Sequence, residues 1–190
     1  MAISCFLKCV PQVFATEWVL SLLKQLGQKQ PAFTQSMYIV KPPFIGGKVA
    51  VHVDSTFLDT DPPSVIGLWV ALEAATTDNG CLHILPGSHK ELVTRRFKRT
   101  GGSVSLEGAM PESFDESNPR WCPCPVAAGD LIILHGGVAH MSHANTSAIS
   151  RHAYSAHSID MSCNWSSTNW IQRPSHDPLL PLEQWLASKK

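Results

Sequence analysis

The hydrophobic period changes once along the chain. In "TEWVLSLLKQLG", residues 16 to 27, apolar side chains recur at i, i+3 and i+4, giving a stripe of Trp18, Val19, Leu22, Leu23 and Leu26. Thr16 stands at the N-cap, Glu17 in the electropositive first turn, Lys24 in the last turn and Gly27 just past the end. The pattern predicts one amphipathic helix that needs a single surface to cover. Beyond it, β-branched and aromatic runs separated by Pro and Gly predict strands over 35 to 41, 48 to 54, 64 to 73, 80 to 85, 130 to 135 and 151 to 158. Short strands at this spacing predict a mainly β domain, a sandwich or barrel.

Residues 90 to 125 turn polar and lose their periodicity, which predicts a long surface excursion. The end, "RPSHDPLLPLEQWLASKK", carries Pro174, Pro178 and Pro181, and predicts an extended tail before a short helix around Leu182 to Leu186.

Composition narrows the partners. With 15 Lys+Arg against 15 Asp+Glu and 44% hydrophobic residues in 190, the chain suits one globular domain with a real core. A net charge of zero lacks the electrostatic footprint expected for nucleic-acid or anionic-membrane binding, so neither is expected. The six cysteines form no C-x-x-C pairs and are read as free thiols of a reducing compartment. "MAISCFLKCV" is broken by Lys8 and lacks a cleavage site, so neither a signal peptide nor a span is expected, and the cytoplasm is the expected location.

The stretch "KVAVHVDSTF" raises the chemical question. Strand alternation puts Val49, Val51 and Val53 on one face, open to cover by the helix, and Ala50, His52 and Asp54 on the other, facing the interior. A carboxylate buried there must neutralise, pair or bind a cation. Side chains two apart on a strand lie roughly 6 to 7 Å apart at Cβ, which lets an imidazole and a carboxylate converge on one ion. A self-satisfied His-Asp pair is the plainer account of the dipeptide alone. His135, His140 and His143 each offer a third ligand, and two His with one carboxylate is the facial set that leaves positions open on Fe(II). Arg151 follows on the expected return strand. With Asp54 assigned to the metal, Arg151 is suited to grip a small carboxylic acid arriving from outside, which disfavours a zinc hydrolase or isomerase.

Weaker signals are read more plainly. His83 and His89 are expected to be structural, and His157 is either a lumen residue or a satisfied core histidine. Arg95, Arg96, Lys98 and Arg99 are either a solvated loop or a contact for an anionic substrate tail.

Taken in order, "QSMYIVKPP", "HVDSTFL", "GLWVALEAAT", "NGCLHILPGSH", "GDLIILHG", "VAH" and "SRHAY" resemble the phytanoyl-CoA dioxygenase family of Fe(II)- and 2-oxoglutarate-dependent oxygenases. The resemblance runs from about Gln35 to about Trp170. It implies a double-stranded β-helix, the cupin-like jelly roll, with a flanking N-terminal helix. It also divides the chain into a segment 1–34 with the packing helix, a dioxygenase domain 35–170 and a tail 171–190. It further implies that His52, Asp54 and His140 hold iron, His140 being the histidine in the "VAH" position with a Ser two places on. Arg151 and Ser142 would bind the distal carboxylate of 2-oxoglutarate, and Met37 and Trp69 would line its pocket. The implied reaction uses O2 and couples oxidative decarboxylation of 2-oxoglutarate to succinate with C–H hydroxylation of a small or lipid-like substrate. Family members carry a longer segment ahead of the matching stretch, including a Lys that contacts 2-oxoglutarate, whereas 34 residues precede Gln35 here. A second reading is therefore a catalytically impaired homologue that serves as a binding or regulatory module.

Overall fold

The computed structural model describes residues 13–188. The expectations for the first ten residues, including the thiols of Cys5 and Cys9, lie outside that range. Helix α1 (Glu17–Gln25) leads into twelve strands: β1 (Pro31–Lys41), β2 (Val49–His52), β3 (Thr60–Asp61), β4 (Ile66–Ala71), β5 (Leu82–Ile84), β6 (Arg96–Thr100), β7 (Ser103–Glu107), β8 (Cys122–Cys124), β9 (Leu131–His135), β10 (His140–Ser142), β11 (Arg151–Asp160) and β12 (Asn164–Trp165). A second helix, α2 (Leu182–Ala187), ends the described chain.

Two antiparallel four-stranded sheets face each other, one ordered β1-β11-β4-β9 and the other β2-β10-β5-β8. This is the jelly roll that the strand pattern and the family resemblance predicted. The long pair β1 and β11 runs from Pro31↔Asp160 to Lys41↔Arg151, with one register shift between Phe33 and Gln35. At the Asp160 end, the carboxylate accepts from the backbone N–H groups of Lys29, Gln30 and Ser162, and so pins the entry to β1.

Helix α1 begins as the sequence predicts, with Thr16 Oγ1 accepting from Val19 N at 3.1 Å. Its buried face differs from the predicted stripe. Val19, Leu20 and Leu23 are buried, while Trp18 is 62% exposed and Leu26 46% exposed. The reason lies in what the helix meets: it packs with Phe14, Phe33 and Leu182 on the outer face of the β1-β11-β4 sheet, over Ile66, Leu68 and Ala156. Each fully buried Leu there stabilises the fold by about 1.5–3 kcal/mol.

The valine face of β2 is a second correction. Val51 and Val53 are covered not by α1 but by the polar excursion, whose Val93, Met110, Phe114 and Trp121 pack on them and on Leu85 and Ala139, while Val49 stays exposed. That excursion is partly structured. β6 and β7 form a hairpin, and β8 pairs with β5 at the edge of the second sheet. Among the described residues, the four cysteines are free thiols, and no helix is long and apolar enough to cross a membrane.

Candidate active site

Between the sheets lies a cavity of about 760 Å³, within the usual range for a small-molecule site. His52 reaches it from the end of β2, and Asp54 from the 3-10 turn Asp54–Thr56 that follows, so Val53 alone separates them and points the opposite way into the apolar cluster. Pairing of β10 with β2 sets His140 directly opposite His52. The ligating atoms of His52, Asp54 and His140 all lie within 4.8 Å of one another. Asp54 Oδ1 stands 3.9 Å from His52 Nε2 and 3.7 Å from His140 Nε2.

Both imidazoles are set by the same local device. Each bonds the carbonyl two residues upstream through Nδ1, His52 to Ala50 at 2.8 Å and His140 to Val138 at 3.1 Å. A carbonyl only accepts, so Nδ1 carries the proton and the Nε2 lone pair faces the centre, as a metal requires. Burial, and then the neighbouring His140, lower the His52 pKa to about 4, which keeps it neutral and ligand-competent. Burial works against the charge on Asp54, but His157 and His140 beside it hold its carboxyl below the usual range. Gly67 allows the close approach of this carboxylate: a Cβ there would stand 3.0 Å from Asp54 Oδ2. The donor set, two imidazole Nε2 atoms and a carboxylate, fits a divalent iron.

His157, left open between two readings by the sequence, is buried, and its Nε2 lies 3.3 Å from Asp54 Oδ2. Gln35 Nε2 donates to its other nitrogen at 3.1 Å. Neither Gln35 nor the tautomer it imposes had a signal in the sequence beyond the register of β1 on β11.

Arg151 opens β11 and is 1% exposed. Its Nε and Nη1 are buried without a hydrogen-bond partner, and among the described residues no carboxylate pairs with it. Burial lowers its pKa to about 10, so it stays charged at neutral pH. Its guanidinium carbon sits 5.4 Å from the centroid of the Trp69 ring. Ser142 Oγ and Ser155 Oγ are likewise buried and unpartnered in the same cavity; Ser155 escaped the sequence reading, although it shares an alternating face with Arg151 and His157. Met37 also lines the cavity and is 37% exposed.

Other expected residues lie elsewhere. His135 faces His89 with ring centroids 5.3 Å apart, and His143 faces His83 at 4.5 Å, so neither joins the triad. The basic cluster does not act as one patch: Arg96 Nε donates to Asp59 at 2.8 Å and Lys98 pairs with Glu107 at 3.2 Å. Arg99 is exposed, and only Arg95 of the four lines the cavity. The tail also contributes Arg173 to the cavity wall.

A jelly roll with two imidazoles and a carboxylate around one point of its lumen has the architecture of the non-heme 2-oxoglutarate-dependent oxygenases. The family model of phytanoyl-CoA dioxygenase (PhyH) matches residues 8–153, and the chain belongs to that family. It is 48% identical over 161 residues to phytanoyl-CoA dioxygenase 1 of Oryza sativa subsp. japonica, covering 82% of this chain and 54% of that protein. It is 43% identical over 167 residues to phytanoyl-CoA dioxygenase domain-containing protein 1 of Bos taurus, covering 86% of this chain and 57% of that one. The chain thus spans about half the length of these curated relatives. Among solved structures it is similar to the non-heme alpha ketoglutarate dependent carbocyclase SnoK from nogalamycin biosynthesis, at 25% identity and a TM-score of 0.58, over 79% of this chain and 62% of that one. EvdO2 from Micromonospora carbonacea var. aurantiaca, solved in complex with 2-oxoglutarate, shares the fold at 20% identity and a TM-score of 0.60, over 87% of this chain and 70% of that one.

Proposed function

We propose that this chain is an Fe(II)- and 2-oxoglutarate-dependent dioxygenase that hydroxylates a C–H bond of a small or lipid-like organic substrate. In this reading residues 35–170 form its catalytic domain, flanked by the segment 1–34, which carries α1 and the first four residues of β1, and by the tail 171–190. The observation that carries the reading is Arg151, a buried guanidinium without an acid, in the same cavity as the His52, Asp54 and His140 cluster. A buried charge of this kind calls for an anion from outside, and a planar fork suits a carboxylate.

In this reading His52 and His140 offer Nε2, and Asp54 a carboxylate oxygen, to Fe(II). Iron held there would supply the oxidising chemistry that, with O2, converts 2-oxoglutarate to succinate and carbon dioxide. The remaining work belongs to the chain. Arg151 and Ser142 hold the far carboxylate of 2-oxoglutarate, and Trp69 supports the guanidinium from below. Met37 and Trp69 give the pocket apolar walls that keep water away from the reacting centre. Free thiols among the described residues fit a reducing cytoplasm.

The test is succinate released from 2-oxoglutarate by the Fe(II)-loaded full chain, with Asp54→Ala alongside. Succinate formation by the wild type alone is the expected result. Metal uptake by a folded chain with no succinate, under any substrate offered, instead fits the binding or regulatory module.

A further inference from the structure

Two groups of buried donors line the cavity without hydrogen-bond partners. One is the clamp already described: Arg151 Nε and Nη1, Ser142 Oγ and Ser155 Oγ. The other is Thr56 Oγ1, Arg95 Nε and Trp170 Nε1, for which the co-substrate has no use. A buried donor left unsatisfied destabilises a fold, and three such donors on residues that line one cavity point to an acceptor that arrives with a ligand.

The three donors stand on segments that pack together. Thr56 closes the 3-10 turn that starts at Asp54, and Arg95 immediately precedes β6. Arg99 N in β6 donates to Thr168 O at 2.7 Å, and Lys98 bridges to Asn169, which sets Trp170 beside the hairpin. The Phe97 ring lies 5.7 Å from Phe57 and 6.0 Å from Trp170, forming an aromatic wall. The group also sits away from the clamp. Along β11, Arg151 and His157 are separated by roughly 20 Å of strand, with His157 at the Asp54 end. Thr56, two residues past Asp54, places the second group at that end.

Charge points the same way. Of the two guanidinium groups on the cavity wall besides Arg151, Arg173 is held by Asp177 at 2.5 Å, whereas among the described residues Arg95 has no acidic partner. Arg95 lines the cavity with its Nε unpartnered, and the Nε edge of a guanidinium is the one that takes a carboxylate side-on. Thr56 and Trp170 are neutral donors, so the set suits a single negative charge. Leu106, Met110 and Ile171 complete an apolar lining that suits a hydrocarbon body.

We propose that Arg95, with Thr56 and Trp170, forms a second anion subsite in this cavity, and that the prime substrate is a carboxylic acid with an apolar body. Calling the occupant a substrate rests on the dioxygenase reading; the subsite itself is a claim about binding, readable without turnover.

The probe is dodecanoate, with dodecan-1-ol as its uncharged counterpart. Binding is measured by calorimetry on the full chain with Mn(II) and saturating 2-oxoglutarate. Dodecanoate is expected to bind at least roughly tenfold tighter than the alcohol, and Arg95→Gln to bring it to the alcohol's level. Arg99→Gln, a charge loss of equal size on the exposed hairpin, is expected to leave the ratio unchanged. Thr56→Val, close to isosteric, is expected to lower it in part and keeps the test readable if Arg95→Gln does not fold. Equal binding of acid and alcohol, an equal effect of Arg99→Gln, displacement of dodecanoate by 2-oxoglutarate, or tighter binding of dodecyl phosphate each overturns the proposal. Loss of succinate formation with dodecanoate binding intact refutes the dioxygenase reading and leaves the subsite standing.

Discussion

At Asp54 one carboxylate faces three imidazoles, and only two of them are offered to a metal. His157, on the far oxygen and itself held by Gln35, is positioned to orient the carboxylate. Loss of such an outer partner typically costs 10–100-fold in metal affinity. His157→Ala is therefore expected to raise the Mn(II) dissociation constant by about that factor, read by electron paramagnetic resonance; an unchanged constant in a folded variant contradicts the role. Lys41 makes a different prediction. It is buried beside Arg151, its Nζ donates to the carbonyls of Gly47 and His143, and burial followed by Arg151 lowers its pKa from 10.5 to about 8. Between those values the unfolded chain binds more protons than the folded one, so stability is expected to rise with pH from about 8 to 10.5. The rise should vanish in Lys41→Met, as read by denaturant titrations across the window. At this scale the sequence was legible at His52, Val53 and Asp54, whose opposite directions alternation anticipates, although β2 ends at His52 and Asp54 opens a 3-10 turn rather than continuing the strand. It was mute on Ser155 and Trp170, whose unpartnered atoms become meaningful only once the cavity closes around them.

Elements were legible where each buried its own apolar face. The four strands of the first sheet and β2 and β5 of the second follow from their residue pattern, and α1 from its caps, whereas β8 and β10, three residues each, are not among the strands that pattern predicts. Which face of α1 is buried was not legible, because a stripe around Trp18 and one around Leu20 both satisfy a period of 3.6, and the choice belongs to Phe33, Leu68 and Leu182. The hairpin of β6 and β7 was hidden for another reason: Val104 and Leu106 alternate with polar residues in β7, but the strand is only five residues long, is exposed throughout and sits in a polar stretch. Phe114 in the excursion is nevertheless core. Phe114→Ala is expected to cost about 3–5 kcal/mol of unfolding free energy, while Trp18→Ala, on the exposed side of α1, stays within about 0.5 kcal/mol. Equal costs in chemical denaturation would contradict the assignment of the two faces.

The whole molecule brings together residues far apart in the chain: His52 with His140 across β2 and β10, and Gln35 with His157 across β1 and β11. The choice of His140 over His135 and His143 came from the family pattern rather than from spacing, and strand pairing gives that choice its physical form. The central claim is that this assembly binds Fe(II) and 2-oxoglutarate together. Its most direct test is an anaerobic titration of the metal-free full chain with both, followed in the visible range. The account predicts a weak charge-transfer band of the chelate, absent in Asp54→Ala and reduced at equal 2-oxoglutarate in Arg151→Ala; a folded wild type that takes up Fe(II) and 2-oxoglutarate without the band contradicts it.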